Sequence, residues 1–351
     1  MKKPWMMLAL AVIVVAGALS REWLGQPPID TAVGQKLLPN LHSQLDQINR
    51  VEILTGDHKL QVVLAHAPKG WTVVNADQYP ANFHMIQKLV TGLAKTQLVE
   101  PKTKLSQHYP TLGVEDLGPD AQHATLVRLI ADKSPVAEVL IGLNPELRSG
   151  HYVRLSGHQQ SWLVDQAFTV PSWPGGWLAQ PLVDWPADQL NRVILRPAQG
   201  KPLVLERQPD QIRLQPTLPE SWSVTDPGAL AARSQLLNRL NIEAVAPWRT
   251  EHDREGWQPL KSAEFVAKSG LQLTVTPLKG AESNWVNIDL NVPDDLQPSM
   301  RETAKTLHQR LDGRRFKVSG RVYQQLQSGV SDVAGPPDPK TTTHQQSASP
   351  Q

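Results

Sequence analysis

Asn49-Arg50-Val51-Glu52-Ile53-Leu54 returns later in the chain as Asn191-Arg192-Val193-Ile194-Leu195-Arg196. A glycine-containing turn follows each copy, Thr55-Gly56-Asp57 in the first and Ala198-Gln199-Gly200 in the second. A second apolar run comes next, Leu60-Gln61-Val62-Val63-Leu64 against Pro202-Leu203-Val204-Leu205. Strand, turn and strand predict a β-hairpin at the head of each half.

The agreement continues outward. Trp71 and Trp222 each lie ahead of a helical pattern. Phe83, Ile86, Val90 and Leu93 recur at steps of three and four, one apolar stripe of a helix. Asp226-Pro227 reads as N-cap and first helical residue, with Leu230, Leu237 and Leu240 on one face and Leu236 beside them. The helices are expected to end alike, at Val99-Glu100-Pro101 and Val245-Ala246-Pro247. Strands then close each half: 124–130, 136–141, 151–155 and 161–165 in the first, 271–276, 285–290 and 316–323 in the second. Leu155-Ser156-Gly157 has an echo in Val318-Ser319-Gly320, and Met300, Ala304, Leu307 and Leu311 mark a helix inserted in the second copy.

The expected fold is therefore α+β: two duplicated β-rich modules, each a mostly antiparallel sheet with a helix packed on one face, after an N-terminal transmembrane helix. The expected segments are a signal-anchor over 1–24, a juxtamembrane helical connector over 25–48 and the first repeat over 49–172. A Trp/Pro-rich junction over 173–190 follows, then the second repeat over 191–328 and a disordered tail over 329–351. Within the junction, Trp173 to Pro186 reads as a packed clasp, since free linkers are polar. The tail from Ser331 is rich in Pro, Ser, Thr and Gln and has little to bury.

Placement is read from the amino end. Lys2 and Lys3 precede an uncharged apolar run from Met6 to Leu19, flanked by Trp5 and Trp23. At helical rise the two indoles stand roughly 27 Å apart, close to the spacing of interfacial aromatic belts. A single-pass anchor is expected, with its amino end in the cytoplasm and the bulk of the chain on the periplasmic side of the cytoplasmic (inner) membrane. Ala16-Gly17-Ala18 leaves a cleaved signal peptide as the other reading.

The 351 residues contain no cysteine, which removes disulfides, thiolate metal sites, cysteine nucleophiles and lipobox lipidation. The formal charge of +2 carries no basic cluster beyond the amino end, so nucleic acid is not an expected partner. Eleven tryptophans outnumber four tyrosines and four phenylalanines. They are expected mainly in cores, with exposed binding platforms as the alternative.

No catalytic, cofactor or metal motif emerges. The eleven histidines form no H-E-x-x-H pair, and His151 and His158 flank one hairpin as turn residues. No nucleophile elbow or phosphate loop is present. Glu115-Asp116 and Asp294-Asp295 are adjacent carboxylates without a readable partner spacing. The most distinctive string is Gly150-His151-Tyr152-Val153-Arg154 with Ser161-Trp162-Leu163-Val164-Asp165. Tyr152 and Arg154 share a sheet face. An arginine beside aromatics could grip an anionic or sugar ligand, or brace the sheet through a salt bridge with a residue such as Asp165. The candidate interaction surface is Tyr152, Arg154, Trp162, Asp165 and Trp177.

Read in order, Gly34-Gln35-Lys36-Leu37-Leu38-Pro39-Asn40-Leu41, Asn49-Arg50-Val51, Trp71, Tyr79-Pro80-Ala81, Tyr152-Val153-Arg154, Trp162-Leu163-Val164-Asp165 and Trp177-Leu178 resemble the bacterial domain of unknown function 4340 family. The resemblance covers most of residues 30–325 and is strongest in the first half. It implies one N-terminal membrane segment and an accessory role beside ABC-2 type export systems, with the permease or its cargo as partner. It supplies no catalytic residues and no cofactor. The expected activity is that of a non-catalytic, membrane-anchored binding component. The alternatives are an envelope polysaccharide- or lipid-acting hydrolase, or a periplasmic glycan- or peptide-binding module.

Overall fold

Alternating apolar residues set the first sheet. In the computed structural model, which describes residues 32–209, 211 and 213–336, one compact unit comprises 32–60 and 86–170, the other 61–85 and 171–336. The Met6–Leu19 run lies outside the described residues. Among the described residues, no helix is long and apolar enough to cross a membrane. The structure is β-rich, with antiparallel sheets and a few helices.

In the first unit the strand order is Ile48–Thr55, Thr125–Ala131, Ser134–Ile141, His151–Leu155, Ser161–Val164, Leu98–Pro101. Every neighbouring pair is antiparallel. Val51, Ile53, Val127, Leu129, Val139 and Val153 are wholly buried on one face, as a period of two demands. On the other face Glu52 accepts from Arg50 and Arg128, and Arg128 also reaches Glu138. The helix Phe83–Lys95 buries Ile86, Leu89, Val90, Leu93 and Ala94; Phe83, at the head of the expected stripe, is exposed.

The second unit holds the order Leu214–Pro216, Leu203–Arg207, Leu190–Leu195, Ala263–Ala267, Gln272–Lys279, Trp285–Asn291, Arg314–Lys317, Ala244–Pro247. From the Asn-Arg-Val strand inward, this is the order of the first unit again. Both sheets even share a bulge. Ile48 pairs with Ala131 and Arg50 with Ile130, which leaves Asn49 as the extra residue. Leu190 pairs with Ala267 and Arg192 with Val266, which leaves Asn191. The inserted helix forms at Pro298–Leu311 and packs against Trp285–Asn291 with Ala304, Leu307 and Leu311 buried.

Several expectations are corrected. The helix after Asp226 forms, and the Asp226 carboxylate caps the Ala229 N–H at 2.8 Å, but it stops at Ser234. Leu237 and Leu240 are buried beyond its end, because the chain there turns to bond Val183 and Trp185. The strand expected over 316–323 is Arg314–Lys317, followed by a helix, Gly320–Gln325, that Ser319 caps. The Leu155-Ser156-Gly157 echo thus joins strands that are not equivalent. The true counterpart of Thr125–Ala131 is Ala263–Ala267, which sequence reading missed. The connector holds a seven-residue 3-10 helix, Leu41–Gln47, and Ile48 already belongs to a strand. Within the expected tail, Val330, Val333 and Ala334 are buried and Ala334–Gly335 pairs with Ser223–Val224; residues 337–351 lie outside the described residues.

Residues 61–85 count with the second unit for a visible reason. Asp77 makes ion pairs with Arg249 and Arg314, the Arg310 guanidinium donates to the Tyr79 hydroxyl, and Asn82 N donates to Trp177 O. The Trp173–Pro186 stretch is built into that same unit. A Cβ on Gly175 would lie 1.8 Å from Glu243 O, so only glycine permits the close approach.

Candidate functional site

Tyr152 and Arg154 do share a sheet face, since Tyr152 pairs with Leu163 and Arg154 with Ser161 and Leu140. Arg154, however, is committed to the fold. Its side chain is 3% exposed. Nε donates to Val114 O at 2.9 Å, Nη1 to His158 O at 2.9 Å and Nη2 to Asp116 Oδ1 at 2.6 Å. The guanidinium also lies 4.2 Å from the Tyr109 ring centroid, and the Tyr109 hydroxyl donates to Gln159 O at 2.6 Å. The segment between Leu98–Pro101 and Thr125–Ala131 supplies Tyr109, Val114 and Asp116, and so seals this part of the face.

The remaining members of the expected surface are likewise occupied. The partner of Arg154 is Asp116, not Asp165, whose Oδ1 instead accepts the Gln97 N–H at 2.8 Å. Trp162 pairs with Val153 and therefore points to the opposite, apolar face, where it is buried. Trp177 is wholly buried in the second unit, with Nε1 donating to Pro171 O at 2.8 Å. Tyr152 is half-exposed beside Lys102, and Asp165 is exposed. Glu115 is structural as well. Burial pushes its carboxyl up, but the N–H groups of His123, Gln122 and Ala124 outweigh that and hold it below the ordinary glutamate value.

His151 is buried, and its Nδ1 accepts the Phe168 N–H at 3.0 Å. Burial lowers its pKa from the ordinary 6.5. A depressed folded-state pKa means the unfolded chain binds the proton first. The stabilisation from neutral His151 is thus full above the unfolded value and drains away as pH falls from there toward the folded one. Urea melts at descending pH should show this slope, and a His151→Asn variant should flatten it.

The equivalent face of the second sheet is different. Followed strand by strand from the shared bulge, Tyr152 and Arg154 correspond to Trp285 and Asn287, and Ser161 corresponds to Arg315. Arg315 lies 4.4 Å from the Trp257 ring centroid, 5.3 Å from Trp285 and 5.7 Å from Trp248. Trp257 and Trp285 meet edge to face at 6.0 Å. Gly280 makes room for this, since a Cβ there would come within 2.5 Å of the Trp257 ring. Arg315 Nη1 donates to Asp253 O at 2.6 Å, while its buried Nε has no hydrogen-bond partner among the described residues. Burial lowers the Arg315 pKa, with Asp253 and Glu282 opposing the shift.

Beside this cage runs an open cleft of about 570 Å³, bordered by Trp248, Arg254, Asn287, Asp289 and Asp312. Arg254 stacks on Trp248 at 5.6 Å. Burial raises the Asp289 carboxyl, Arg254 lowers it and Asp312 raises it again. Among the described residues, no group of three or more His, Asp or Glu could hold a metal ion. Sequence reading missed this site. The signal was present in Trp285-Val286-Asn287, the counterpart of Tyr152-Val153-Arg154, but the Ser-Gly echo set the last strands out of register.

Two units, each with an antiparallel sheet of this strand order, define a β-rich α+β protein whose polar sheet faces carry stacked guanidinium groups. The family model for a domain of unknown function, DUF4340, matches residues 71–259, more than half of the chain. The protein belongs to that family. No curated protein and no solved structure matches the chain.

Proposed function

We propose that this protein is a non-catalytic binding scaffold, one module built twice, held at the outer side of the cytoplasmic membrane by Met6–Leu19 and working with an ABC-type export system. The observation that carries the scaffold reading is the repeated strand order with the same bulge at Asn49 and Asn191. A sheet face that is bonded shut in one unit and open in the other suits a module that docks rather than transforms. The tether rests on Lys2, Lys3 and the tryptophan-bracketed apolar run. The exporter association rests on the family likeness.

The test is recovery of the full-length chain from its native membranes in mild detergent after cross-linking. Co-recovery of an ABC permease is expected. Recovery of the chain alone, or of the full-length chain free in the cytosol, overturns the reading. A hydrolase is the second reading, favoured by Asp289 and Asp312, two carboxylates that border one cleft. Turnover of an oligosaccharide by the purified chain would establish it in place of the scaffold.

A further inference from the structure

The two sheets carry guanidinium–aromatic stacks at neighbouring positions of one face, but the position shared by Arg154 and Asn287 is covered in the first and borders a cleft in the second. In the first unit residues 102–124 link Leu98–Pro101 to Thr125–Ala131, and Tyr109, Val114 and Asp116 from that link satisfy Arg154. In the second unit the equivalent link, 248–262 between Ala244–Pro247 and Ala263–Ala267, is shorter. It supplies Trp248 and Trp257 to Arg315 and then runs out, which leaves the cleft of about 570 Å³ uncovered. That volume lies within the roughly 300–1,000 Å³ of small-molecule sites.

The lining decides the ligand chemistry. Asp289 and Asp312 bring two carboxylates that take no hydrogen bond from the described residues. Arg254 brings a guanidinium that stacks on Trp248 and makes no hydrogen bond or ion pair among the described residues. Arg249, on the rim, is already forked onto Asp77, at 2.8 and 2.6 Å. A simple anion would meet Asp289 and Asp312, and a simple cation would meet Arg254. A neutral group that donates and accepts at the same atom satisfies both sets, and an array of hydroxyls does this. Asn287, paired directly with Arg315, also borders the cleft; its Nδ2 donates to Arg314 O at 3.3 Å.

We propose that this cleft binds a neutral saccharide, with Asp289 and Asp312 accepting from ring hydroxyls and Arg254 donating to them. The assignment rests on the scaffold reading only in being a binding site; it is independent of the membrane tether and of the exporter. The probes are maltose, cellobiose and N,N′-diacetylchitobiose, titrated to millimolar concentration against the full-length chain in detergent and followed by saturation-transfer NMR. Saturable binding of at least one is expected, weakened tenfold or more in an Asp289→Ala/Asp312→Ala double variant whose melting curve is unchanged. Tyr152→Ala, on the equivalent face of the first sheet, should leave binding intact.

Failure of all three sugars to bind overturns the proposal, as does full binding by the double variant. Tighter binding of glucose 6-phosphate or of lysine overturns the choice of a neutral ligand. Binding accompanied by cleavage would keep the site and remove the non-catalytic reading, so the two failures are distinguishable.

Discussion

Replacing Arg154 with alanine should cost on the order of 3 kcal/mol of folding stability, read as a lower urea midpoint of the full-length protein. The cost does not come from the ion pair. Asp116 is 72% exposed on its side chain and water would take over its carboxylate. It comes from the Val114 carbonyl, which loses a buried donor, and from the area stacked on the Tyr109 ring. Arg154→Lys should recover less than half of the loss, because one ammonium cannot serve three divergent acceptors as a planar fork does. An Asp116→Ala variant should lie within about 1 kcal/mol of the parent. If Arg154→Ala melts like the parent, the arginine is not a brace, and the ligand-gripping alternative read from the sequence returns.

Trp177→Ala should cost about 3–5 kcal/mol, the range for emptying a large buried aromatic. Trp177 is wholly buried, its indole N–H is bonded to Pro171 O and its own carbonyl accepts the Asn82 N–H. Trp177→Phe keeps much of the volume but orphans the Pro171 carbonyl, so about 1–2 kcal/mol should be lost. A phenylalanine variant as unstable as the alanine variant would show that shape, not the hydrogen bond, sets the requirement. Both substitutions are judged by equilibrium urea unfolding with tryptophan fluorescence, and the parent curve is the reference.

The placement of Arg154 and Trp177 shows where sequence reasoning stops. Alternation placed Tyr152 and Arg154 on one face, and the register agrees. Alternation could not say that residues 102–124 cover that face, since loop paths carry no periodic signal. Trp162 and Arg154 looked like one cluster because they lie close along the chain. A pairing of Trp162 with Val153 puts them on opposite sides of the sheet. A shift of one residue in register exchanges the two faces, and no pattern within a four-residue strand sets the register alone.

The second half shows the same limit. Asp226 was readable as a helix cap because capping is local chemistry between a side chain and an N–H three residues on. The end of that helix was not, because Leu237 and Leu240 satisfy a helical period while the backbone leaves to bond Val183 and Trp185. The 314–317 strand and the 320–325 helix were merged for a similar reason: Val318 and Ser319 suit either state until Ser319 caps the turn.

Local and periodic features, then, followed from sequence by itself: the α+β class, the two Asn-Arg-Val strands, both main helices and the family. Short-range forces set these, and they act between residues a few positions apart. Which sheet face is covered and which borders an open cleft was decided only by tertiary structure. That choice depends on how far one connecting segment reaches across a sheet, a property of length and path that no residue pattern encodes.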